Sequence, residues 1–317
     1  MRSLASGVGA AVRRELRHLV RRLRDAGYAE EPELLGELDA ADLDRLSVDR
    51  LADRLVPARS NLTTEQRRVI SVLLGIEPDA QQLWPTLSRT AEIVGVDAAE
   101  VTGELERARK RWAEARPELV GIREGIVEWL AGRGGVATGE EIAALLLTRR
   151  GSIVDEPLRS RRARAVVRAC IEAEARISQP RFRGVRVGDE LLLALDRRAA
   201  LDGRGSIDWT ADPLVEAAAA LGERAEQLVA DGAVIAPNTA IDGLRAIDSP
   251  PLPEGVSFDD TRLVQLAAAV SSTAAVSSRG ELSPKGLAAV DAIRAGRLAL
   301  LGRGGLTAEY EGGVHRS

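Results

Sequence analysis

Apolar residues recur at helical spacing along most of this chain. In residues 7–24, one helical face collects Val12, Leu16, Leu19, Val20 and Leu23. Residues 39–56 repeat the pattern, and Pro57 then ends it because proline cannot continue a helix. Both stretches are therefore predicted to be amphipathic helices.

Three shorter helical stretches follow in residues 59–117. Thr63 or Thr64 can cap the first, and Gly75 ends it. The second is "TLSRTAEIVG", and the third begins at about Ala98. Together they resemble the region-4 helix-turn-helix of bacterial sigma factors, a family whose second and third helices lie across and inside the major groove.

The pattern changes in residues 118–200. Two helical stretches separated by Gly134 and Gly135 precede a third, "PLRSRRARAVVRACIEAEAR". Two strand-like runs then flank Gly188 and Asp189, which is a hairpin signal. The order helix, helix, helix, hairpin predicts a winged helix with one small β-hairpin wing.

Beyond residue 200 the pattern indicates helices, with a Pro-rich stretch, "DSPPLPEGVSF", between two groups of them. The chain is therefore predicted to be mainly α, with tandem helix-turn-helix and winged-helix modules. The predicted domains are a helix-hairpin-helix-like remnant with an acidic helical linker (1–58), a sigma region-4-like helix-turn-helix (59–117), a winged helix (118–200), a helical unit (201–248), a Pro-rich linker (249–258) and a C-terminal helical unit with a frayed or truncated tail (259–317).

The remnant at the start rests on a Gly-Val-Gly turn at residues 7–9, which precedes an Arg-rich helix. Such a turn resembles the second half of a helix-hairpin-helix, where backbone N–H groups hold a phosphate. A solvated Arg-rich helix is the alternative interpretation.

Local charge matters more than the formal net charge of −4. Basic side chains crowd the third helix and the wing of the predicted winged helix, and also the end of the preceding module. The candidate nucleic-acid-binding residues are Arg159, Arg161, Arg162, Arg164, Arg168, Arg181, Arg183, Arg186, Arg107, Arg109, Lys110 and Arg111. For the four between 107 and 111 the helix macrodipole is an alternative explanation.

Two acidic residues argue against base reading by the sigma-like module. Asp97 and Glu100 stand where a major-groove helix approaches bases and phosphates, so each carboxylate would meet a negative field. Any DNA binding is therefore expected in residues 157–187, and it is expected to be weak and largely independent of sequence.

Motifs for catalysis and cofactor binding are missing from the sequence. There is no P-loop, and the only histidines, His18 and His315, complete neither a catalytic triad nor a zinc site. Cys170 is expected in the core, and the acidic pairs at 140–141 and 259–260 are interpreted as helix starts. The sequence thus predicts no enzyme activity, no cofactor and no metal. It also lacks an apolar run long enough to span a membrane, so a cytoplasmic location is expected.

Several stretches in order resemble one protein family. They are the Gly-Val-Gly turn with its Arg-rich helix, "NLTTEQRRVISVLLG", "LWPTLSRTAEIVGVDAAEVTGELERARKRW", "DEPLRSRRARAVVRACIEAE", "PRFRGVRVGDELLLALD" and "SSRGELSPKGLAAVDAIR". Together they are similar to the region after the kinase domain in PglW-type serine/threonine kinases of phage growth limitation and BREX defence. The resemblance implies antiphage defence, a cytoplasmic location and association with other proteins of the system. It carries over no kinase activity, because the glycine-rich loop and the catalytic H-R-D-L and D-F-G motifs are absent.

These observations favour a non-enzymatic accessory protein with DNA-binding modules, either a truncated PglW-like chain or a split subunit. A protein-interaction scaffold within a defence complex is the alternative, and a stand-alone transcription regulator comes third. For the core, Trp84, Trp112 and Trp129 are expected to be largely buried, with Trp112 packed near Val69 and Leu73.

Overall fold

A computed structural model describes residues 46–57, 62–78, 82–196, 211–247, 252–253 and 256–287. The Arg-rich helix predicted in residues 7–24 and the last predicted helix, after residue 287, lie outside these ranges. The chain divides into two compact units, Met1–Ala211 and Asp212–Ser317.

The first unit combines helices with a small antiparallel sheet. Its strands are β1 (Val136–Thr138), β2 (Phe182–Val187) and β3 (Glu190–Leu195). Its helices are α1 (Val48–Leu55), α2 (Thr64–Leu73), α3 (Leu87–Val94), α4 (Ala98–Glu114), α5 (Glu118–Ala131), α6 (Gly139–Arg150) and α7 (Leu158–Glu174). The prediction of a mainly helical chain with a β-hairpin is confirmed.

Side-chain caps fix the starts of several helices. The Thr63 hydroxyl accepts a hydrogen bond from the backbone N–H of Gln66, whose side chain accepts one from the backbone N–H of Thr63. Thr138 and Glu141 form the same reciprocal pair at the start of α6. Capping thus explains Glu141, one of the two acidic residues in the first turn of α6.

The three strands lie in the order β1, β3, β2, with Val136 opposite Ala194 and Phe182 opposite Leu195. The hairpin between β2 and β3 was predicted, and Gly188 in its turn has a positive φ of 58°. Strand β1 was not predicted. It is three residues long and directly precedes a helix, which leaves no alternating pattern to recognise.

Helix α7 is the centre of the first unit. Helices α1, α4, α5 and α6 and strand β2 all pack against it. Its buried residues are Ala163, Ala165, Val166, Val167, Ala169, Cys170, Ile171, Glu172, Ala173 and Glu174. A helix that is buried on so many sides belongs to the core.

Trp84, in the segment between α2 and α3, is buried against the start of α6. A methyl carbon added to Gly139 would lie 2.7 Å from Cη2 of Trp84, so the ring uses the space that a glycine leaves. Trp112 is also buried, and its indole N–H donates to the carbonyl oxygen of Leu55 over 3.0 Å. Trp112 therefore ties α4 to the end of α1, outside the predicted helix-turn-helix module.

Trp129 does not follow the expectation that all three tryptophans are largely buried. It is half-buried on α5, and the Arg133 guanidinium carbon lies 5.1 Å from its ring centre. Cys170 is buried as expected, and burial raises the pKa of its thiol to about 12. A thiol in that environment is a core residue and not a nucleophile.

The second unit is built from three helices and a second hairpin in its described part. The elements are α8 (Ala211–Val229), α9 (Pro237–Arg245), α10 (Asp260–Val270), β4 (Ala274–Val276) and β5 (Leu282–Pro284). Asp259 caps α10 by accepting from the N–H of Arg262 over 2.7 Å. The β4–β5 hairpin was not predicted, because its strands are only three residues long.

Contacts join the segments on either side of the Pro-rich stretch. Arg245 on α9 lies 2.7 Å from Asp260 on α10, and Ile235 exchanges two backbone hydrogen bonds with Leu282. The helices predicted before and after that stretch thus belong to the same compact unit. Within the described ranges, none of the helices is both long and apolar enough to cross a membrane.

Candidate nucleic-acid interface

Helix α7 carries five of the candidate basic residues, and three of them form ion pairs with acidic side chains. Arg162 lies 3.4 Å from Asp49 and 3.2 Å from Asp53, both on α1. Arg164 lies 3.2 Å from Glu140 at the start of α6. These acids come from other helices, so they are not visible in the local sequence around α7.

Arg168, the last candidate on α7, shares a buried carboxylate with a residue of another helix. Its Nε lies 2.6 Å from Oε1 of Glu172, and Nη2 of Arg109 on α4 lies 2.5 Å from Oε2 of the same side chain. Glu172 therefore holds two guanidinium groups in fixed positions on the seam between α4 and α7.

Arg159 and Arg161 are different, because no ion pair is formed by either side chain within the described part of the chain. Arg159 is exposed at the start of α7, and Arg161 is half-buried.

Arg181, at the start of the wing, belongs to a buried ion-pair group. Its Nε lies 2.8 Å from Oε1 of Glu174, whose side chain is 0% exposed, and Arg123 on α5 lies 3.4 Å from the other oxygen. The hydrogen bonds with Glu174 raise the pKa of the Arg181 guanidinium. Arg181 is thus part of the internal ion-pair group at the start of β2.

The other two wing arginines are more open. Arg183 lies 2.6 Å from Asp196, and its side chain is 42% exposed. Arg186 donates a hydrogen bond to the carbonyl oxygen of Trp84, and no carboxylate pairs with it within the described ranges.

On α4 the four basic candidates divide in the same way. Arg107 pairs with buried Glu104, Arg109 pairs with Glu106 and Glu172, and burial lowers the pKa of Arg111. Lys110 is exposed and forms no ion pair with a described residue. Asp97 and Glu100, at the start of the same helix, are both exposed.

Four of the candidates meet at one cavity of about 550 Å³ between α3, α4, α7 and β2, here called the arginine cleft. They are Arg109, Arg168, Arg183 and Arg186. Glu172 is the one carboxylate on the wall, and the first turn of α3, at Thr86 and Leu87, borders the opening. The apolar part of the lining, here called the apolar floor, includes the partly exposed Leu87 and Pro180 and the buried Phe182 and Ile171.

All four arginines were predicted as candidates from the sequence, but their position around one cavity was not. Their positions span 78 places along the chain, and only the packing of α4 on α7 and of β2 on α7 makes them neighbours. Sequence reasoning also missed Glu172 and Glu174, which look like ordinary polar positions near a helix end.

The cleft offers positive charge and hydrogen-bond donors. Groups of three or more His, Cys, Asp and Glu residues that could hold a metal ion are absent from the described ranges. Guanidinium groups beside an apolar floor suit an anionic ligand that also carries a flat or apolar part.

One curated protein provides a comparison. The chain is 34% identical over 278 residues to the probable kinase PglW of Streptomyces coelicolor. This chain is related to a region of PglW. The alignment covers 83% of this chain but only 18% of the length of PglW. No protein-family model matches the chain, and no solved structure matches it.

Proposed function

We propose that this chain is a non-catalytic region of a PglW-related antiphage defence protein and that it binds nucleic acid weakly, through the arginine cleft. The observation that carries the proposal is the convergence of Arg109, Arg168, Arg183 and Arg186 from three elements on one cavity. Phosphate oxygens are the nucleic-acid groups that arginines hold best, because the planar guanidinium matches them with two hydrogen bonds.

The helix order supports a winged-helix ancestry but a different mode of contact. The elements α5, β1, α6, α7, β2 and β3 follow the order of a winged helix, in which the third helix enters the major groove. Here α1 and α4 cover α7, and α1 is fixed to it through Asp49 and Arg162. Nucleic acid would therefore meet the wing and the cleft instead of the face of α7.

Salt dependence of binding tests the proposal. Fluorescence anisotropy of the full chain with a labelled single strand and a labelled duplex gives the slope of log K against log [salt]. For Arg183→Ala/Arg186→Ala we expect weaker binding and a slope lower by roughly 0.7 to 0.9 for each phosphate that the variant no longer neutralises.

The matched control is Arg159→Ala/Arg161→Ala, which removes the same formal charge outside the cleft. Arg181 is left intact, because its removal would take two hydrogen bonds from buried Glu174 and confound binding with unfolding. Equally weakened binding by both double variants would show that net charge, and not the cleft, holds the nucleic acid. A parent chain that binds neither probe at low salt would overturn the proposal.

A protein-interaction scaffold is the second candidate, favoured by the exposed acids on α4. Asp97 and Glu100 are exposed where a DNA-reading helix would carry donors, while the basic Arg107 and Arg109 further along are paired internally. An acidic helix start of this kind suits a basic protein surface better than DNA.

Co-purification separates the two candidates. The chain is produced with the other proteins of its defence system, beside an Asp97→Ala/Glu100→Ala variant. A partner that the parent retains and the variant loses supports the scaffold. For DNA, the same variant is expected to bind as tightly as the parent or more tightly, because it removes negative charge.

A further inference from the structure

We propose that the arginine cleft takes a single nucleotide unit that ends in a phosphate, as a free nucleoside monophosphate or as the 5′-phosphorylated end of a strand. The inference rests on the proposed nucleic-acid binding and narrows it to one chemical group, the phosphomonoester. The walls, the volume and the charge of the cleft each point to this ligand.

The volume excludes the interior of a duplex as the ligand. A cavity of about 550 Å³ falls in the range of small-ligand pockets. B-DNA, whose major groove alone is about 12 Å wide, is too large to enter it. A strand can enter only by its end or through one unpaired nucleotide.

The walls have two kinds of surface, which match the two parts of a nucleotide. Arg109, Arg168, Arg183 and Arg186 are the charged lining residues, and the apolar floor includes the partly exposed Leu87 and Pro180. Guanidinium groups hold phosphate, and a base needs an apolar surface to lie against. Inorganic phosphate alone would leave the apolar part of the cavity unused.

Glycine at position 184 is part of the cleft lining and lets β2 pack closely on α7. A Cβ atom there would lie 2.7 Å from Cγ2 of Ile171, so β2 approaches α7 closely at this point. Two residues further along the same strand, Arg186 lines the cleft beside the start of α3. The strand thereby contributes a cation to the lining while its backbone packs closely on α7.

Charge favours a terminal phosphate over a phosphate within a strand. Four guanidinium groups line the cleft, and three carboxylates pair with them: Glu172 with Arg109 and Arg168, Glu106 with Arg109, and Asp196 with Arg183. Arg186 forms no ion pair with a described residue, so the lining keeps a net positive charge. A phosphomonoester carries about −1.5 to −2 charges near pH 7, whereas a phosphodiester carries one. The first turn of α3 at the rim adds the positive end of a helix dipole.

The test compares two short single strands with a 3′ fluorescent label, one with a 5′-phosphate and one with a 5′-hydroxyl, by anisotropy with the full chain. We expect the phosphorylated strand to bind roughly 10-fold more tightly, the ratio expected when one group forms additional charged hydrogen bonds. Unlabelled nucleoside monophosphate is expected to compete at lower concentration than inorganic phosphate.

Variants locate the preference. Arg186→Ala is expected to bind the two strands with equal affinity, while Arg159→Ala is expected to keep the preference for the phosphorylated strand. Thermal unfolding of each variant checks that the fold is retained. Equal binding of both strands in a salt-dependent manner would overturn this inference and leave the proposed function standing. Absence of binding by both strands and by the monophosphate would overturn both. If inorganic phosphate competes as well as the nucleoside monophosphate does, the cleft binds anions in general and the nucleotide assignment is wrong.

Discussion

Gly139 is the residue at which the loop before α3 meets the start of α6. The Trp84 ring occupies the place of a side chain there, with Cη2 2.7 Å from where a Cβ atom would be. Because Trp84 is buried, the ring has no free direction in which to move. Gly139→Ala should therefore destabilise the first unit by roughly 1 to 3 kcal/mol, the usual cost of overpacking.

Denaturant unfolding of the full chain measures this effect, with Gly103→Ala as the control. A Cβ atom at Gly103 meets only the flexible end of Arg107 at 3.8 Å, and alanine suits a helix interior better than glycine does. The control should be neutral or slightly stabilising. If both variants unfold at the same denaturant concentration, Trp84 does not pack on Gly139 as described.

Glu104 gives the first unit a dependence on pH. Burial by itself raises the pKa of its carboxyl, but hydrogen bonds from Arg107 and Gln66, at 2.5 and 2.7 Å, outweigh burial and lower it below the ordinary 4.5. The unfolded chain thus binds this proton more tightly. The stabilisation is present above pH 4.5 and disappears as the pH falls through the lower, folded-state value.

Glu104→Gln removes this ionisation. We expect the variant to be less stable than the parent near neutral pH, and the difference in unfolding free energy to shrink as the solution is acidified. Glu100→Gln, on the exposed side of the same helix, serves as the reference. A difference between Glu104→Gln and the parent that is constant from neutral to acidic pH would contradict the assignment.

At the scale of elements, α1 is held on the central helix by one buried carboxylate. Asp49 accepts hydrogen bonds from the Ser152 hydroxyl at 2.8 Å and from the Ile153 N–H at 2.7 Å, and Arg162 lies 3.4 Å away. Asp49→Ala removes the acceptor of the Ser152 and Ile153 donors and one of the two carboxylates that pair with Arg162, and it should cost about 3 kcal/mol.

Asp53 on the same helix is the matched control, because it also pairs with Arg162 but is 65% exposed. Asp53→Ala should cost less than about 1 kcal/mol, since water screens exposed ion pairs. Urea unfolding curves of the two variants decide between them. Similar destabilisation by both would mean that α1 is not anchored through Asp49.

Helix boundaries in this fold were predictable because their signals are local. Thr63, Thr138 and Asp259 lie within three residues of the groups they cap, so each start could be read from a short stretch. The hairpin at Gly188 was found for the same reason. Strands β1, β4 and β5 were missed because three residues carry no periodicity.

The surroundings of α7 were not predictable, because they depend on partners far away in sequence. Its arginines were predicted to be available for phosphate, yet Arg162 pairs with α1 and Arg164 with Glu140 on α6. The sequence shows which face of a helix is apolar, but not which other helix will cover its charged face. For this reason the arginine cleft emerged only from the packing.

At the scale of the whole molecule, only a few basic side chains are available for the proposed binding. The chain has 44 basic and 48 acidic residues, and many arginines of the first unit form ion pairs with acidic residues of the same unit. The proposed binding is therefore weak and local, and it depends on a few residues around one cavity instead of on a basic surface.

Nucleotide binding without phosphate transfer is the prediction for the whole chain. The sequence has no kinase catalytic loop, and Glu172, the carboxylate on the cleft wall, has one oxygen paired with Arg109 and the other with Arg168. Purified chain incubated with magnesium and radiolabelled ATP should stay unlabelled.

The Arg186→Ala variant is the control for this assay. If label appears equally on the parent and on Arg186→Ala, the labelling does not depend on the cleft, and a contaminating kinase must be removed before the assay is repeated. If label appears on the parent but not on Arg186→Ala, the cleft takes part in phosphate transfer, and the non-catalytic assignment is wrong.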